Sequence, residues 1–547
     1  MGCATLSGST LNLTSDNSRS RTTRFWLVIL AICSSLFLGA LEFTAVSTAL
    51  PTIVQSIPDF PSEDFVWVGS AYALAATAFL PMSGSLAQIF GRRPVVIVSL
   101  LVFAIGSTMC GAASTRNTFL AGRTIQGFGG GGILALTSII IADLVPLQER
   151  GMYNGLMGIT WSVAAAIGPV IGGILAEASR WRWLFYLNLP ICGFVLCLVM
   201  LFLNLHTPRT SLREKLAQFD WIGISIIVSS SAAWVIALTW AGIVYPWSSF
   251  RVLVPFVLGL CGLVAFFAYE FFCAKHPIVS FEYLSNRTSL SGYAQTFMIQ
   301  AVIVSYIYYM PIYFQACKAA SPRGSGVDLF GLAMTLPPFS ILGGASIKIF
   351  TCYRPQLWIG WLLTILSTGI LLLLKSDSPP GMSIGFGVLA GAGMGVTYTA
   401  TFFPVLAPLS VESNAHAISL AVFMRSFAQV CGITICGAVL QNGLEKNLPA
   451  EFLVLFPSAH DLAYGAVAEV SGLPEPLKQQ VQSAFATSLE RVWIALLVMS
   501  CAGFLCSIPM KGISLHAGLD RKWGVVEESE AMKDVTTESE EGAIEMA

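Results

Sequence analysis

The sequence has little charge and no metal-ligand pattern. Only 11% of its 547 residues are charged, against a usual share of about a quarter in soluble proteins. The formal net charge is −1, which lacks the basic excess typical of nucleic-acid binding. The five histidines are scattered, and most of the 13 cysteines lie inside apolar runs, where they pack as small hydrophobic side chains. We therefore expect no nucleic-acid partner, no metal site and no disulfide framework.

Long apolar runs take the place of the missing charge. Hydrophobic residues make up 55% of the chain, and runs of about 20 residues, each long enough to cross a bilayer as a helix, recur along it. The predicted fold class is therefore an all-α polytopic membrane protein. We predict fourteen transmembrane helices, near residues 25–47, 66–90, 95–113, 119–142, 153–177, 183–204, 220–243, 252–273, 290–315, 327–350, 356–375, 382–407, 416–440 and 490–510.

Lysine and arginine are unevenly divided between the two sides of the predicted membrane. With both termini on one side, that side holds 17 of these residues and the other side holds 10; Arg123 and Arg425 lie inside spans, which accounts for all 29. Basic residues accumulate in cytoplasmic loops, so we predict that both termini are cytosolic. Residues 441–489 then form a long external loop with an amphipathic piece, and the acidic residues 511–547 form a cytosolic tail.

Three ionisable side chains remain at membrane depth: Glu42 in the first predicted span, Arg123 in the fourth and Arg425 in the thirteenth. Charges are expensive in lipid, so each should face the protein interior or a water-filled cavity. Glu42 and Arg123 have opposite signs, and a carboxylate whose proton affinity depends on its partner and hydration can load and release a proton. The alternative is a static ion pair that only fixes helix packing.

The loop after the second span, "SGSLAQIFGRRP", combines glycines with basic residues. Gly84 allows close helix approach, and Gly91 permits a tight turn. Arg92 and Arg93 are expected at the cytosolic surface, where they can meet helix C-termini or carboxylates. Alternatively, the two arginines are only an orientation signal.

In the fifth span, "GITWSVAAAIGPVIGG" places small residues where another helix can approach closely, among them Gly168, Gly172 and the adjacent Gly173. Pro169 removes one backbone hydrogen bond and favours a kink. This pattern is compatible with static packing and with helix contacts that move.

These stretches, in this order, resemble the major facilitator superfamily. "GSLAQIFGRRP" is similar to its loop between helices two and three, "LAGRTIQGFGGGG" to its fourth-helix motif, and "GITWSVAAAIGPVIGG" to its antiporter-associated fifth-helix motif. "LEFTAVSTALP" and "WRWLFYLNLP" resemble motifs of the fourteen-span drug:proton antiporter branch, and later stretches resemble fungal toxin and multidrug efflux pumps. The match runs from about residue 25 to 510.

The resemblance implies a domain organisation and a mechanism. The chain divides into a cytosolic segment 1–24, an N-terminal six-helix bundle 25–205, two linker helices within 206–288, a C-terminal six-helix bundle 289–510 and the tail 511–547. Alternating access driven by protons is implied, with Glu42 and Arg123 in proton coupling. The implied gating loop contains Gly84, Gln88, Gly91, Arg92 and Arg93. The family usually has Asp where Glu42 and Gln88 stand; Glu42 keeps the acid, whereas Gln88 predicts a weaker gate.

Aromatic residues of the ninth span are candidates for the substrate site. Tyr306, Tyr309 and Tyr313 fall on one helical face, where they form either an interfacial belt or the wall of a cavity for a flat apolar solute. The remaining cavity candidates are Gln126, Trp161, Gln315 and Arg425. Because the spans hold few fixed charges, we expect a neutral or weakly charged amphipathic cargo.

Taken with the resemblance, these features predict a proton-coupled efflux transporter of the plasma membrane. Its cargo is a hydrophobic small molecule such as a fungal secondary metabolite, toxin or drug; its other partners are protons and the lipid bilayer. We expect a monomer without a cofactor, driven by the proton gradient. The alternatives are a same-fold importer or vacuolar transporter of siderophores or basic amino acids, or a non-transporting membrane sensor. No catalytic constellation occurs in the spans, so an enzyme is not expected.

Overall fold

The computed structural model describes residues 23–57, 65–203, 219–241, 245–275, 277–279, 281–320, 322–410, 413–455, 470 and 472–515. Within these ranges the chain is helical, apart from its connections and one isolated bridge between Ala241 and Tyr245. Fourteen of the described segments are long and apolar enough to cross a membrane. The predicted all-α membrane class and the predicted number of spans are confirmed.

The fourteen principal helices are numbered α1 to α14 in chain order. Their bounds are Thr23–Ser56, Phe65–Phe90, Arg92–Gly111, Arg116–Leu144, Leu147–Glu177, Arg182–Phe202, Trp221–Trp240, Phe250–Phe272, Arg287–Lys318, Leu336–Phe350, Arg354–Ile370, Pro380–Ala400, Asn414–Asn447 and Leu477–Ser507. Short helices Pro322–Asp328 and Phe330–Ala333 precede α10, and Phe402–Leu406 follows α12. The other short helices are Phe281–Ser285, Leu371–Leu373 and Ala450–Leu455.

Local sequence sets several helix starts. Gly91 precedes α3 with a φ of 92°, a left-handed conformation that glycine adopts without strain, so the predicted tight turn is present. Thr115 begins α4 by accepting a hydrogen bond from the Thr118 N–H. Asn286 begins α9 in the same way. Such caps satisfy backbone donors that a helix start otherwise leaves unpaired.

Two groups of six helices pack together. Helices α1 to α6 contact one another, and so do α9 to α14; α7 and α8 pair with each other. The groups meet where α5 packs on α10 and where α2 and α4 pack on α13. Helix α7 contacts both α2 and α13, so it touches both groups. The proposed division of the chain at residues 205 and 288 stays a prediction.

The end of the bundle that carries the start of α1 is called the proximal end below, and the opposite end is called distal. Arg24 at the start of α1 donates to the Phe202 carbonyl at the end of α6, 3.2 Å away, which places both at the proximal end. Arg182 at the start of α6 donates to the Ala113 carbonyl beyond α3, at the distal end. Successive helices therefore alternate in direction, as transmembrane helices joined by short connections must.

The predicted loop 441–489 is shorter in the structure. Helix α13 continues to Asn447 and α14 begins at Leu477, so most of "PLKQQVQSAFATSL" belongs to the last spanning helix and is not part of a loop. Polar residues such as Lys478 and Glu490 hide the apolar character of this helix in the sequence. Residues 456–469 of the true connection lie outside the described residues, as do the N-terminal segment to residue 22 and the tail from 516.

Candidate functional site

Glu42 of α1 and Arg123 of α4 form a buried ion pair. Arg123 Nη1 donates to Glu42 Oε1 at 2.6 Å, and the two side chains are 1–2% exposed. Arg123 Nε donates to the Val68 carbonyl of α2 at 2.9 Å, and the guanidinium lies 4.8 Å from the centre of the Tyr72 ring. The pair therefore holds three helices of the N-terminal group together.

Asn188 of α6 extends this pair into a network. Its Nδ2 donates to Glu42 Oε2 at 2.5 Å and to Ser107 Oγ of α3 at 2.9 Å. Ser107 Oγ donates in turn to the Phe185 carbonyl at 2.9 Å. Asn188 was not among the site residues predicted from the sequence, although it lies within "WRWLFYLNLP". Its amide inside an apolar run could have indicated a buried polar role.

Gln126 belongs to the same network. Its Oε1 accepts from Arg123 Nη1 at 2.7 Å, and its Nε2 donates to Ser107 Oγ at 3.1 Å. The side chain is fully buried. Helix α4 packs against α2 and α3 and turns Gln126 into the N-terminal group, so in this state Gln126 belongs to the ion-pair network; its predicted cavity-lining role stays a prediction.

The fifth-helix motif packs against the acid-bearing part of α1. A Cβ on Gly168 would collide with Thr44, and one on Gly172 would collide with the Ala45 backbone carbonyl. Thr44 and Ala45 follow Glu42 within one helical turn. The glycines of α5 thus allow a backbone approach that couples the position of this helix to the segment carrying Glu42.

The other motif residues of α5 have less specific surroundings. The helix runs unbroken through Pro169, and Gly173 is partly buried. Trp161 is 39% exposed, and its neighbour Thr160 lines an open groove with Cys33 and other residues of α1 and α6. Trp161 therefore lies apart from the Glu42 network.

The gating-loop arginines have different environments. Arg92 is predicted at the surface but is buried: its Nε donates to Asp143 Oδ2 of α4 at 2.9 Å, and its Nη1 donates to the Ala87 carbonyl. Arg93 donates to the Met200 carbonyl at 2.6 Å in an exposed contact. Asp143, which the sequence analysis did not identify, supplies the carboxylate that pairs with Arg92. Its position at the end of an apolar run was the signal for it.

The first contact between the two groups lies near the proximal end, between α2 and α13. Ser83 Oγ is 3.4 Å from Ser419 Oγ, and Ser85 Oγ is 3.2 Å from His416 Nε2. A Cβ on Gly84 would lie 2.6 Å from Ser419 Oγ. Gly84 therefore permits the close approach that the sequence predicts.

The second contact lies between α5 and α10 at the same end. A Cβ on Gly151 would lie 2.5 Å from the Gly344 Cα, and Lys348 Nζ is 3.1 Å from Glu149 Oε1. Both contacts close the proximal end between the two groups.

The three tyrosines of α9 lie inside the C-terminal group. Tyr306, Tyr309 and Tyr313 are each 1% exposed. Tyr309 donates to the Ile433 carbonyl at 2.6 Å, and Tyr313 donates to the Lys375 carbonyl at 2.8 Å. In this state they face the protein core, and the substrate-site role predicted for them stays a prediction.

Two further candidates differ from each other. Gln315 Nε2 donates to Ser325 Oγ at 3.0 Å, a contact local to the α9 end. Arg425 is buried in α13, and its Nη2 donates to the Tyr398 carbonyl at 2.7 Å and to Thr401 Oγ1 at 3.4 Å. Arg425 is thus far from Gln315, which lies at the distal end. The structure does not bring the predicted cavity residues together at one site.

Two six-helix groups that meet at a seam, with an ion pair sealed inside one of them, define a polytopic membrane protein of carrier architecture. Residues 32–433 match the family model described as Major Facilitator Superfamily. The chain belongs to this superfamily.

Individual relatives agree with this assignment. The chain is 36% identical to "Efflux pump FUS6" of Gibberella moniliformis, over 97% of this chain and 96% of that protein. It is 35% identical to the "Acurin A biosynthesis cluster MFS-type transporter" of Aspergillus aculeatus, over 92% of each chain. Among solved structures, the proton:xylose symporter XylE aligns with a TM-score of 0.56 at 13% identity, over 88% of this chain and 94% of that chain. This last likeness shows the fold alone.

Proposed function

We propose that this protein exports a small amphipathic molecule, such as a fungal secondary metabolite, in exchange for protons. The buried Glu42–Arg123 pair carries the proposal. Ionisable side chains at membrane depth are costly and rare, and where they occur they mark functional sites such as proton relays. The names of the relatives, an efflux pump and a transporter of a biosynthesis cluster, support export of a metabolite. The protein accordingly acts as a transporter and not as an enzyme, and needs no cofactor beyond the proton gradient.

The contacts of α1 and α5 suggest how a proton on Glu42 acts at a distance. Protonation removes the negative charge that holds Arg123 and so loosens α1 from α4. Helix α5 rests on α1 through Gly168 and Gly172, and rests on α10 through Gly151, about 25 Å along the same helix. A small shift of α1 is thereby passed to the seam between the groups.

The closed proximal end assigns the described state to one step of the proposed export cycle. With the termini cytosolic, as the lysine and arginine distribution favours, the described state is closed towards the cytosol. From this state, a proton that enters from outside is proposed to reach Glu42. The protonated carrier then opens towards the cytosol, releases the proton and takes up cargo. We place the protein in the plasma membrane, as a monomer.

The test is efflux from yeast that lacks its own drug pumps. Cells expressing the full chain are loaded with fluorescent hydrophobic compounds, the neutral Nile red and the acid 1-pyrenebutyric acid, with and without a protonophore. Efflux by the wild type should stop with the protonophore, and Glu42→Gln should lower it to background, because an amide cannot exchange the proton. Glu445→Gln, which makes the same change at an exposed position, is the matched control. Full proton-driven efflux by Glu42→Gln would overturn the proposal.

A further inference from the structure

Arg425 is a buried cation that has no carboxylate partner among the described residues. It is 8% exposed, and none of the ion pairs in the described part of the chain includes it. Its guanidinium carbon lies 3.8 Å from the Tyr398 ring centre and 4.1 Å from that of Phe402. The contrast with Arg123 is direct, since that arginine is neutralised by Glu42.

The guanidinium also has an unused donor. Its described hydrogen bonds all come from Nη2, to Tyr398 and Thr401. Nε is buried without a hydrogen-bond partner. An arginine carries five N–H groups and stays charged in proteins, and the one on Nε has no acceptor among the described residues. An unmet buried donor on a charged group is costly, which indicates that an acceptor is missing.

Arg425 lies on the face of α13 that borders the seam between the two groups. Ile418 of α13 lines a small space at the seam together with Ser138, Arg150 and Phe402. Arg425 follows Ile418 by seven residues, so it lies on the same face of α13, about 10 Å further from the proximal end. Phe402 borders the seam and also stacks on Arg425. The cation therefore lies on the cargo path of a carrier that opens at this seam.

We propose that Arg425 binds a single carboxylate on the otherwise apolar cargo. The inference rests on the proposed function and narrows its substrate class from amphipathic molecules to hydrophobic monoanions. A carboxylate supplies both the missing charge and the missing acceptor, and charge-assisted hydrogen bonds to arginine are the strong ones. The rings of Tyr398 and Phe402 offer apolar contact to the body of the cargo beside its acid group. One arginine matches one negative charge.

The experiment compares two probes that differ in charge alone. The full chain is purified, placed in phosphatidylcholine liposomes and titrated at pH 7 with 1-pyrenebutyric acid, which is ionised there, or with 1-pyrenebutanamide, which is neutral. The wild type should bind the acid about tenfold more tightly than the amide, the scale of one charged hydrogen bond. Arg425→Gln should abolish this difference, because it lowers the affinity for the acid far more than the affinity for the amide. Arg425→Lys should keep part of the preference, because the charge remains.

The other outcomes separate the inference from the proposed function. Equal affinities in the wild type, binding of neither probe, or an equal loss of both in Arg425→Gln would overturn the inference. The melting temperature of each variant shows whether it is folded, and Arg425→Lys keeps the test open if Arg425→Gln is not. Proton-driven efflux of neutral compounds with no preference for acids would support the proposed function and reject the carboxylate site. An Arg425-dependent acid preference with protonophore-insensitive efflux would retain the anion site and reject the proton coupling.

Discussion

At the scale of single residues, the N-terminal group is organised around Glu42. Its two oxygens are occupied by Arg123 and Asn188, and Ser107 and Gln126 tie these partners to α3 and α4. Each member satisfies a polar group that lipid would leave unpaired. The ion pair therefore acts in folding as well as in the proposed coupling, and the two roles can be separated by mutation.

Removing one charge of the pair should be worse for stability than removing both. Arg123→Gln alone leaves a buried carboxylate unpaired and should cost about 3–5 kcal/mol, whereas Glu42→Gln/Arg123→Gln leaves two amides that can bond to each other. In detergent, the melting temperature should therefore fall in Arg123→Gln and recover in the double variant. Protonophore-sensitive efflux should be absent in both variants. A double variant less stable than Arg123→Gln would show that the charges do not compensate each other.

The charged members of this site could be predicted from the sequence, but its uncharged members could not. A carboxylate or guanidinium inside an apolar run is a strong signal, so Glu42 and Arg123 stand out. Asn188 and Ser107 carry no charge and occur in runs that tolerate single polar residues. For Gln126, the sequence gives the helix but not its rotation about its axis, which only packing against α2 and α3 determines.

At the scale of helices, glycine sets how closely the two groups approach. The contact of α5 with α10 places Gly151 against Gly344, whereas a Cβ on Gly158, two turns further along α5, would meet nothing closer than 3.8 Å.

Close helix contacts of this kind can be predicted from the sequence only in part. The spacing of small residues predicts that a close contact exists, but the partner helix appears only in the assembled fold. The tyrosines of α9 show this too, since one shared face proved to be the face towards the protein core.

Gly151→Ala should hinder closure of the proximal end. The added methyl group would lie 2.5 Å from the Gly344 Cα, and only a movement of the backbone could relieve this clash. Such overpacking costs about 1–3 kcal/mol and should shift the balance away from the closed state by about 5- to 160-fold. Efflux should fall by a comparable factor at unchanged protein level, as measured by fluorescence efflux and immunoblot. Gly158→Ala is the control, and an equal loss in both variants would contradict the role given to the glycine contact.

At the scale of the whole molecule, the described state is closed at the proximal end by two contacts between the groups, α2 with α13 and α5 with α10. Alternating access requires both to open in each cycle. Ser83 and Ser419 face each other across one of them with 3.4 Å between their hydroxyl oxygens. The fold therefore offers a direct way to lock the carrier in one state.

A Ser83→Cys/Ser419→Cys variant should cross-link under mild oxidation, because the side chains are already within disulfide reach. Efflux should fall to background on treatment with copper phenanthroline and return with dithiothreitol. The two single variants, treated identically, control for oxidation of the native cysteines. Continued efflux by a fully cross-linked protein, judged by mass spectrometry, would show that this seam does not open during transport.

The unpaired charge of Arg425 has an electrical consequence. If a monoanion occupies the site on the outward step, the loaded site is neutral, whereas the returning empty site carries one positive charge. A membrane potential that is negative inside then drives the return, by up to about 2.3 kcal/mol per 100 mV for a charge that crosses the whole field. Each cycle would move a proton inward and an anion outward, so transport would register as a current. The cell would thus expel its cargo with voltage as well as with pH.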